Sequence, residues 1–360
     1  MKASLSLMLC SLVFAVAVRA QTTTVAATPA AGYSMLTARG ASDSLVSIPL
    51  VPRSALVARI AAIDPAMVTV TATGVVDGSY APGGSAVYYL QFVSGNLSGL
   101  CYKILNNHAN ALTLDSRGDD LTHHPLGAVS VGASGDLVRI RPCWTIGTVF
   151  GTDPAQILLD PVASLNRSIY SGADAVLLPD NVSAGTEKPP AKVLGFVAGS
   201  GWRERRDLST DASATELWPG VPFVVRRQNP APVGIPVVGY VSADRLVKTI
   251  PALADGADWD LAASLAYPVP ATLAGSGLLA ATASVITPSS DASHLGDVVL
   301  DYPDNRQGFS LPPARRFYAI GAGWFESGTT ADQYALQPES GYVLRFRGAH
   351  AVRYWVQSPP

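Results

Sequence analysis

The stretch DAVLLPDN (174–181), followed by PPAKVLGFVAGSGWRE (189–204) and PGVPFVVRR (219–227), decides the reading of this chain. A second version returns as DVVLDYPDN (297–305), PPARRFYAIGAGWFE (312–326) and PESGYVLRFR (338–347). The order of the blocks is kept. Pro219 to Arg226 and Pro338 to Arg345 span the same number of residues. Such self-similarity is a statement about fold and precedes any motif search. In each copy a short apolar run stops at Pro-Asp-Asn, where Pro fixes φ and Asx side chains bond back to the backbone. A Pro-Pro pair then leads into a β-branched and aromatic run that ends in Gly-x-Gly-Trp. The last block alternates with period two, which predicts a half-buried strand with Phe223 and Tyr342 inward and Arg226 and Arg345 outward. Trp202 and Trp324 read as core anchors, because no other side chain brings as much apolar area. A catalytic group is needed once, whereas a packing group recurs. The paired Asp180/Asp304 and Glu204/Glu326 are therefore read as structural rather than as a duplicated ligand or metal site.

Working outward, residues 1–20 carry Lys2, an apolar run from Leu5 to Val18 and a small residue at Ala20. That is the pattern of a secretory signal peptide cleaved before Gln21, and it predicts a secreted or periplasmic protein. Cleavage removes Cys10, Lys2 and Arg19 and leaves 23 basic against 27 acidic residues, a charge of about −4. A near-neutral chain of low charge lacks the basic face that nucleic-acid binding needs. No later run is long and apolar enough for a membrane-spanning helix. With 32 Gly, 27 Pro and few helix-period segments, the expected class is all-β: two related sandwich-like or barrel-like domains from an internal duplication. The expected boundaries are a flexible lead-in at 21–42, domain one at 43–245 and domain two at 257–356. An echo of Leu45, Pro52 and Ala55 in Leu261, Pro268 and Ala271 extends the duplication to the domain starts.

Domain one is longer and is expected to hold an insertion at about 67–165. The runs VYYLQFV (87–93), CYKIL (101–105) and ALTLD (111–115), with Asn-rich and Gly-containing turns between them, predict a three-stranded meander. LVRIRP (137–142) predicts a further strand, and Asp153-Pro154 predicts the start of a short helix over AQILLD.

The blocks YYLQFVSGNLSGLCYKILNNHANALTLD, PCWTIGTVFG, LLPDN, the Gly-Trp pairs and PGVPFVVR together resemble a family of uncharacterised, secreted, β-rich proteins of Verrucomicrobia-type bacteria. The resemblance covers about 45–355. It implies export and a common β-rich architecture, and it supplies neither an activity nor catalytic residues. Cys101 and Cys143 lie outside the shared pattern.

Candidate chemistry is sparse. The loop DSRGDDLTHH (115–124) clusters Asp115, Asp119 and Asp120 and suits Ca²⁺ by its oxygen ligands. It lacks the EF-hand spacing, and a polar hairpin tip explains the same letters. There is no Gly-x-Ser-x-Gly elbow and no His-Glu-x-x-His, and the five His stand in turn-like contexts. Trp144, Trp218, Trp259 and Trp355 have no place in the duplicated blocks, and any exposed one of them offers a stacking surface for sugars. In an oxidising compartment Cys101 and Cys143 are disulfide candidates; a pair of buried free thiols is the alternative. The expected function is that of an exported structural, adhesive or surface-binding protein with a glycan or another cell-surface component as partner. The rival is a polysaccharide-active hydrolase or lyase, which needs two carboxylates facing each other across a sugar.

Overall fold

The computed structural model describes residues 30–359 except 66–68, 82–85, 117–123, 163–171, 253–255, 281–283, 292–295 and 303–306. Among the described residues the protein is all-β, with one five-residue α-helix. The residues expected to form a signal peptide lie outside the described part.

Two antiparallel sheets carry the architecture. The first runs in the order Gly201–Glu204, Lys192–Val197, Ala175–Leu178, Phe223–Arg227, Ser42–Val46. The second runs Thr329–Thr330, Gly323–Glu326, Arg315–Ile320, Val298–Asp301, Gly341–Phe346, Trp259–Ser264. Apart from the extra two-residue strand at one edge, the order is the same. Phe223 and Tyr342 are buried, at 1% and 2% exposure, while Arg226 and Arg345 stand on the opposite face of their strands. Trp202 and Trp324 each follow a Gly at the start of the strand beyond the hairpin, paired with Phe196 and Ala319. Both are fully enclosed. The rings of Phe196 and Phe150 pack on Trp202 at 5.6 and 5.8 Å, and its Nε1 donates to Gly151 O at 2.7 Å. Trp324 Nε1 is buried without a partner among the described residues, so that anchor works by packing.

Between Ser42–Val46 and the rest of the first unit lies a closed six-stranded barrel. Its strands in order around the barrel are Leu56–Asp64, Thr69–Ala72, Ala111–Asp115, Cys101–His108, Tyr88–Phe92 and Leu137–Pro142. Strict alternation fills the interior: Ile60, Val70, Leu90, Ile104, Leu112, Leu114, Val138 and Ile140 point inward and are at most 3% exposed. Register shifts at Ile60/Ala62 and Ile104/Asn106 bend two of the strands, as closure of so small a barrel requires.

Several expectations change here. The lead-in contains a strand, Ala31–Ala38, paired along its whole length with Val233–Tyr240; its partner is some 200 residues away, so no local pattern announces it. The inserted barrel begins at Leu56, not near 67, and its last strand ends at Pro142. Trp144–Thr145 already belongs to the first unit, paired with Glu216–Leu217. The helix is Ile146–Phe150, capped by Thr145 in a capping box with Thr148. Asp153 makes only a turn, its Oδ1 accepting from Ala155 N–H at 2.9 Å.

The echo at the domain starts is shifted by one residue. Leu45 lies opposite Val224, and in the second sheet Ala262, not Leu261, lies opposite Val343. Leu45 therefore faces outward while Leu261 is core, the inversion that a one-residue slip produces.

The proposed disulfide does not form. Cys101 and Cys143 are free thiols. Tyr88–Phe92 lies between them, with Cys101 opposite Gln91 and Cys143 N bonded to Val87 O. They are thus separated by two strand spacings across the sheet and by four residues along it, beyond the roughly 7 Å limit for bridging.

Truncation at either Trp removes a fully enclosed anchor. Trp324→Ala is expected to cost about 3–5 kcal/mol in chemical denaturation. A Trp324 freely quenched by acrylamide in the folded protein, with an unchanged melt, contradicts the packing role.

Candidate functional site

A cleft of about 730 Å³ lies where the outward faces of the two sheets meet. Its floor is apolar: Leu45, Leu177 and Val224 from the first sheet, Ala262 and Val343 from the second, with Tyr302 beside them. Pro189-Pro190 and Pro312-Pro313 form its walls.

The charged groups at this seam are arranged twice over. Arg226 grips Asp43 through Nε and Nη2, both at 2.7 Å, and Arg345 grips Asp260 in the same fork at 2.7 and 2.8 Å. Each pair is directly cross-strand, Arg226 with Asp43 and Arg345 with Asp260. Each Asp also receives a backbone N–H from the other unit: Ser310 N to Asp43 and Glu187 N to Asp260, both at 2.8 Å. The same two loops close the open edges of the sheets, because Asp43 N donates to Gly308 O and Asp260 N to Gly185 O. Gly185 and Gly308 have φ of 110° and 139°, which only glycine adopts readily, and Glu187 and Ser310 both sit at 52°. Further along, Ser47 N reaches Glu339 O and Ser264 N reaches Gly220 O. The seam thus has the self-complementary form of a two-fold dimer interface within one chain.

Lys248 ties the seam from the linker side. Its Nζ donates to Gly220 O and to Ala262 O, each at 3.0 Å, and no carboxylate among the described residues is paired with it. Burial of the amine lowers its pKa to about 7. Asn181 bonds Ala262 at both N and O, completing the local mesh.

The barrel is fixed to the same linker by charge. Asp244 takes Arg139 Nε at 2.6 Å and Arg141 Nη2 at 3.3 Å, and Gln91 Nε2 donates to Arg245 O at 3.2 Å. A smaller cavity opens at this three-way junction and is lined by Trp144, Trp218, Tyr89 and Tyr267 among others.

The sequence-predicted site residues fall as follows. Asp115 ends a barrel strand opposite Lys103, while Asp119 and Asp120 lie outside the described residues. No cluster of metal-ligating side chains occurs among the described residues. Glu204 and Glu326 do not line the cleft, and Glu326 contacts Arg315 at 3.4 Å. Trp259 and Trp355 are core; Trp144 and Trp218 are partly exposed and converge on the junction cavity. Asp43, Asp260 and Lys248 were not singled out by sequence. The matched Arg226 and Arg345 were the available signal for the two Asp, since an outward Arg on a buried sheet asks for a partner across the ladder. Burial pushes Cys101 up to about 12 and Cys143 higher still. Comparison with family models, curated proteins and solved structures finds no match.

Two outcomes follow. The Lys248 pKa is lowered in the folded state and ordinary in the unfolded chain. Between about pH 7 and 10 the unfolded state therefore holds more protons, and stability rises with pH. Thermal melts at pH 7 and 8.5 should show a larger gain for wild type than for Lys248→Met; equal gains contradict this assignment. Both thiols should titrate in the denatured, unreduced chain and react slowly when native at pH 7.

Proposed function

We propose that the chain is an exported, non-catalytic structural, adhesive or surface-binding protein, built by duplication of one β unit, with the inter-unit cleft as its main ligand seat. The observation that carries this reading is the state of the charged groups at the cleft. Of the charged groups lining it, Asp43 and Arg226 are spent on each other and on Ser310. Glu187 lies 3.5 Å from Arg345, and Lys188 donates to Ser183 O. Arg205 also lines it, and the floor between them is apolar, with no carboxylate pair facing across it among these contacts. Duplication is supported by the common strand order and by the matched Asp43/Asp260 and Arg226/Arg345 pairs. Export, by signal-peptide cleavage before Gln21, rests on the N-terminal pattern and on the resemblance to secreted β-rich proteins.

The test uses the purified mature protein on a glycan array, with reducing-sugar release measured on every binder. Binding without release is expected, and Val343→Lys, which places a charge on the cleft floor, should weaken it more than about tenfold. Release of sugar, or of an unsaturated product, assigns the polysaccharide-active alternative instead. N-terminal sequencing of the exported chain should begin at Gln21, and an intact Met1 overturns export by cleavage.

A further inference from the structure

The junction cavity differs from the cleft in kind. It is about 30 Å³, bounded by the outer face of the barrel, the first unit and the linker strand. A water-sized atom needs about 10–15 Å³ of such space, so the cavity holds a group of two or three non-hydrogen atoms. Its walls are aromatic. Trp218 lies against Tyr89 at 5.7 Å, and Trp144 is held in place by Nε1 donating to Leu50 O at 2.8 Å. Both Trp line the cavity and are partly exposed.

Polar capacity is left open inside. Tyr89 is 1% exposed, lines the cavity, and its hydroxyl has no hydrogen-bond partner among the described residues. Gln91, 3% exposed, spends an amide N–H on Arg245 O and leaves its carbonyl oxygen without a protein donor among them. A ligand atom that fills the cavity and pairs with the Tyr89 hydroxyl replaces the solvent it displaces, whereas one that cannot pair leaves that hydroxyl buried and unsatisfied.

The site also breaks the internal symmetry. The pair Trp144–Leu217 corresponds in the second unit to Ala271–Leu336, and Trp218 corresponds to Gln337. The core anchors Trp202 and Trp324 recur, whereas these two Trp occur once, where the barrel meets the duplicated frame.

We infer that the junction cavity is a carbohydrate subsite that takes the exocyclic hydroxymethyl group of a hexopyranose, with the sugar ring stacked on the indole at its mouth. A –CH₂OH group supplies two non-hydrogen atoms, one apolar and one that both donates and accepts, which matches the volume and the open Tyr89 hydroxyl and Gln91 carbonyl oxygen. This inference rests on the surface-binding reading but assigns a second place and a ligand class. The decisive comparison is titration of mature protein, by calorimetry or ligand-observed NMR, with gluco-, manno- and galacto-oligosaccharides against xylo-oligosaccharides and 6-deoxyhexosides.

A hexose should bind at least about tenfold more tightly than its counterpart lacking the hydroxyl, the factor expected when a buried hydroxyl loses its partner. Tyr89→Phe should erase that preference at an unchanged melting temperature, and Trp218→Ala should abolish binding. Equal affinity for xylose- and hexose-based ligands overturns the inference. So does binding lost in Val343→Lys but kept in Trp218→Ala, an outcome that leaves the cleft reading standing. Binding of serine- or threonine-bearing peptides in preference to any sugar also overturns it.

Discussion

The structure depends on a forked charge pair used twice. Arg226 with Asp43 and Arg345 with Asp260 are cross-strand pairs within their own sheets, yet each Asp also receives a backbone N–H from the opposite unit. A carboxylate has lone pairs enough for both tasks, and a guanidinium fork fixes its plane. The same loops that supply those N–H groups lie along the strands Ser42–Val46 and Trp259–Ser264 and bridge to them at Ser42 and Trp259. Those are the edge strands of the two sheets, so one interaction seals edges that would otherwise invite a further strand. The opposite edge of the first sheet is occupied too: Ala212 N bonds Trp202 O, and Asp207 bridges Glu204.

The barrel is a guest in this frame. It closes on itself and fills its interior with its own side chains, so the host gives it little core. What it shares is its outer face. Arg139 and Arg141, alternating with inward Val138 and Ile140, meet Asp244 in the linker between the two units. Arg245 and Val247, further along the linker, bond Ser98 and Gly99 in a barrel loop. Linker, barrel and first unit are thereby held together at a place with no counterpart in the second unit, and the junction cavity is a consequence.

Much of this was legible in the sequence. The period-two strands, the Gly-Trp anchors and the inward Phe223 and Tyr342 follow from patterns inside single segments, where burial writes itself as alternation. The barrel strands Tyr88–Phe92, Cys101–His108 and Ala111–Asp115 were readable for the same reason. What failed was long-range. Ala31–Ala38 is small and weakly patterned and is a strand only because Val233–Tyr240 lies beside it. The match of Leu45 to Leu261 rested on similar letters, and that one-residue error set Asp43 against Trp259 and hid the Asp43/Asp260 equivalence on which the seam turns. The helix expected at Asp153-Pro154 lies instead at Ile146–Phe150, whose start is marked by a reciprocal Thr145–Thr148 cap rather than by the usual Asp-Pro pair.

The symmetry of the seam also explains where the two units differ. Phe223 and Tyr342 are equivalent, so Pro222 and Gly341 are equivalent as well, and these two positions touch each other. A Cβ built on Gly341 lies 2.4 Å from Pro222 Cβ and 2.6 Å from Leu45 Cγ. Residues at a two-fold axis meet their own counterparts, so whatever side chain one copy places there, the other must make room for it. A Pro in both copies would collide, and a Gly in both would leave a hole against Leu45 and lose the stiffness that Pro gives the strand entry. The Pro–Gly pair is the asymmetric solution. In a homodimer the two positions carry one sequence and this solution is closed; within one chain each position is free to take its own residue. The close docking of the two sheets at this point thus depends on Gly341 facing Pro222, a pairing open to two units that reside in a single polypeptide.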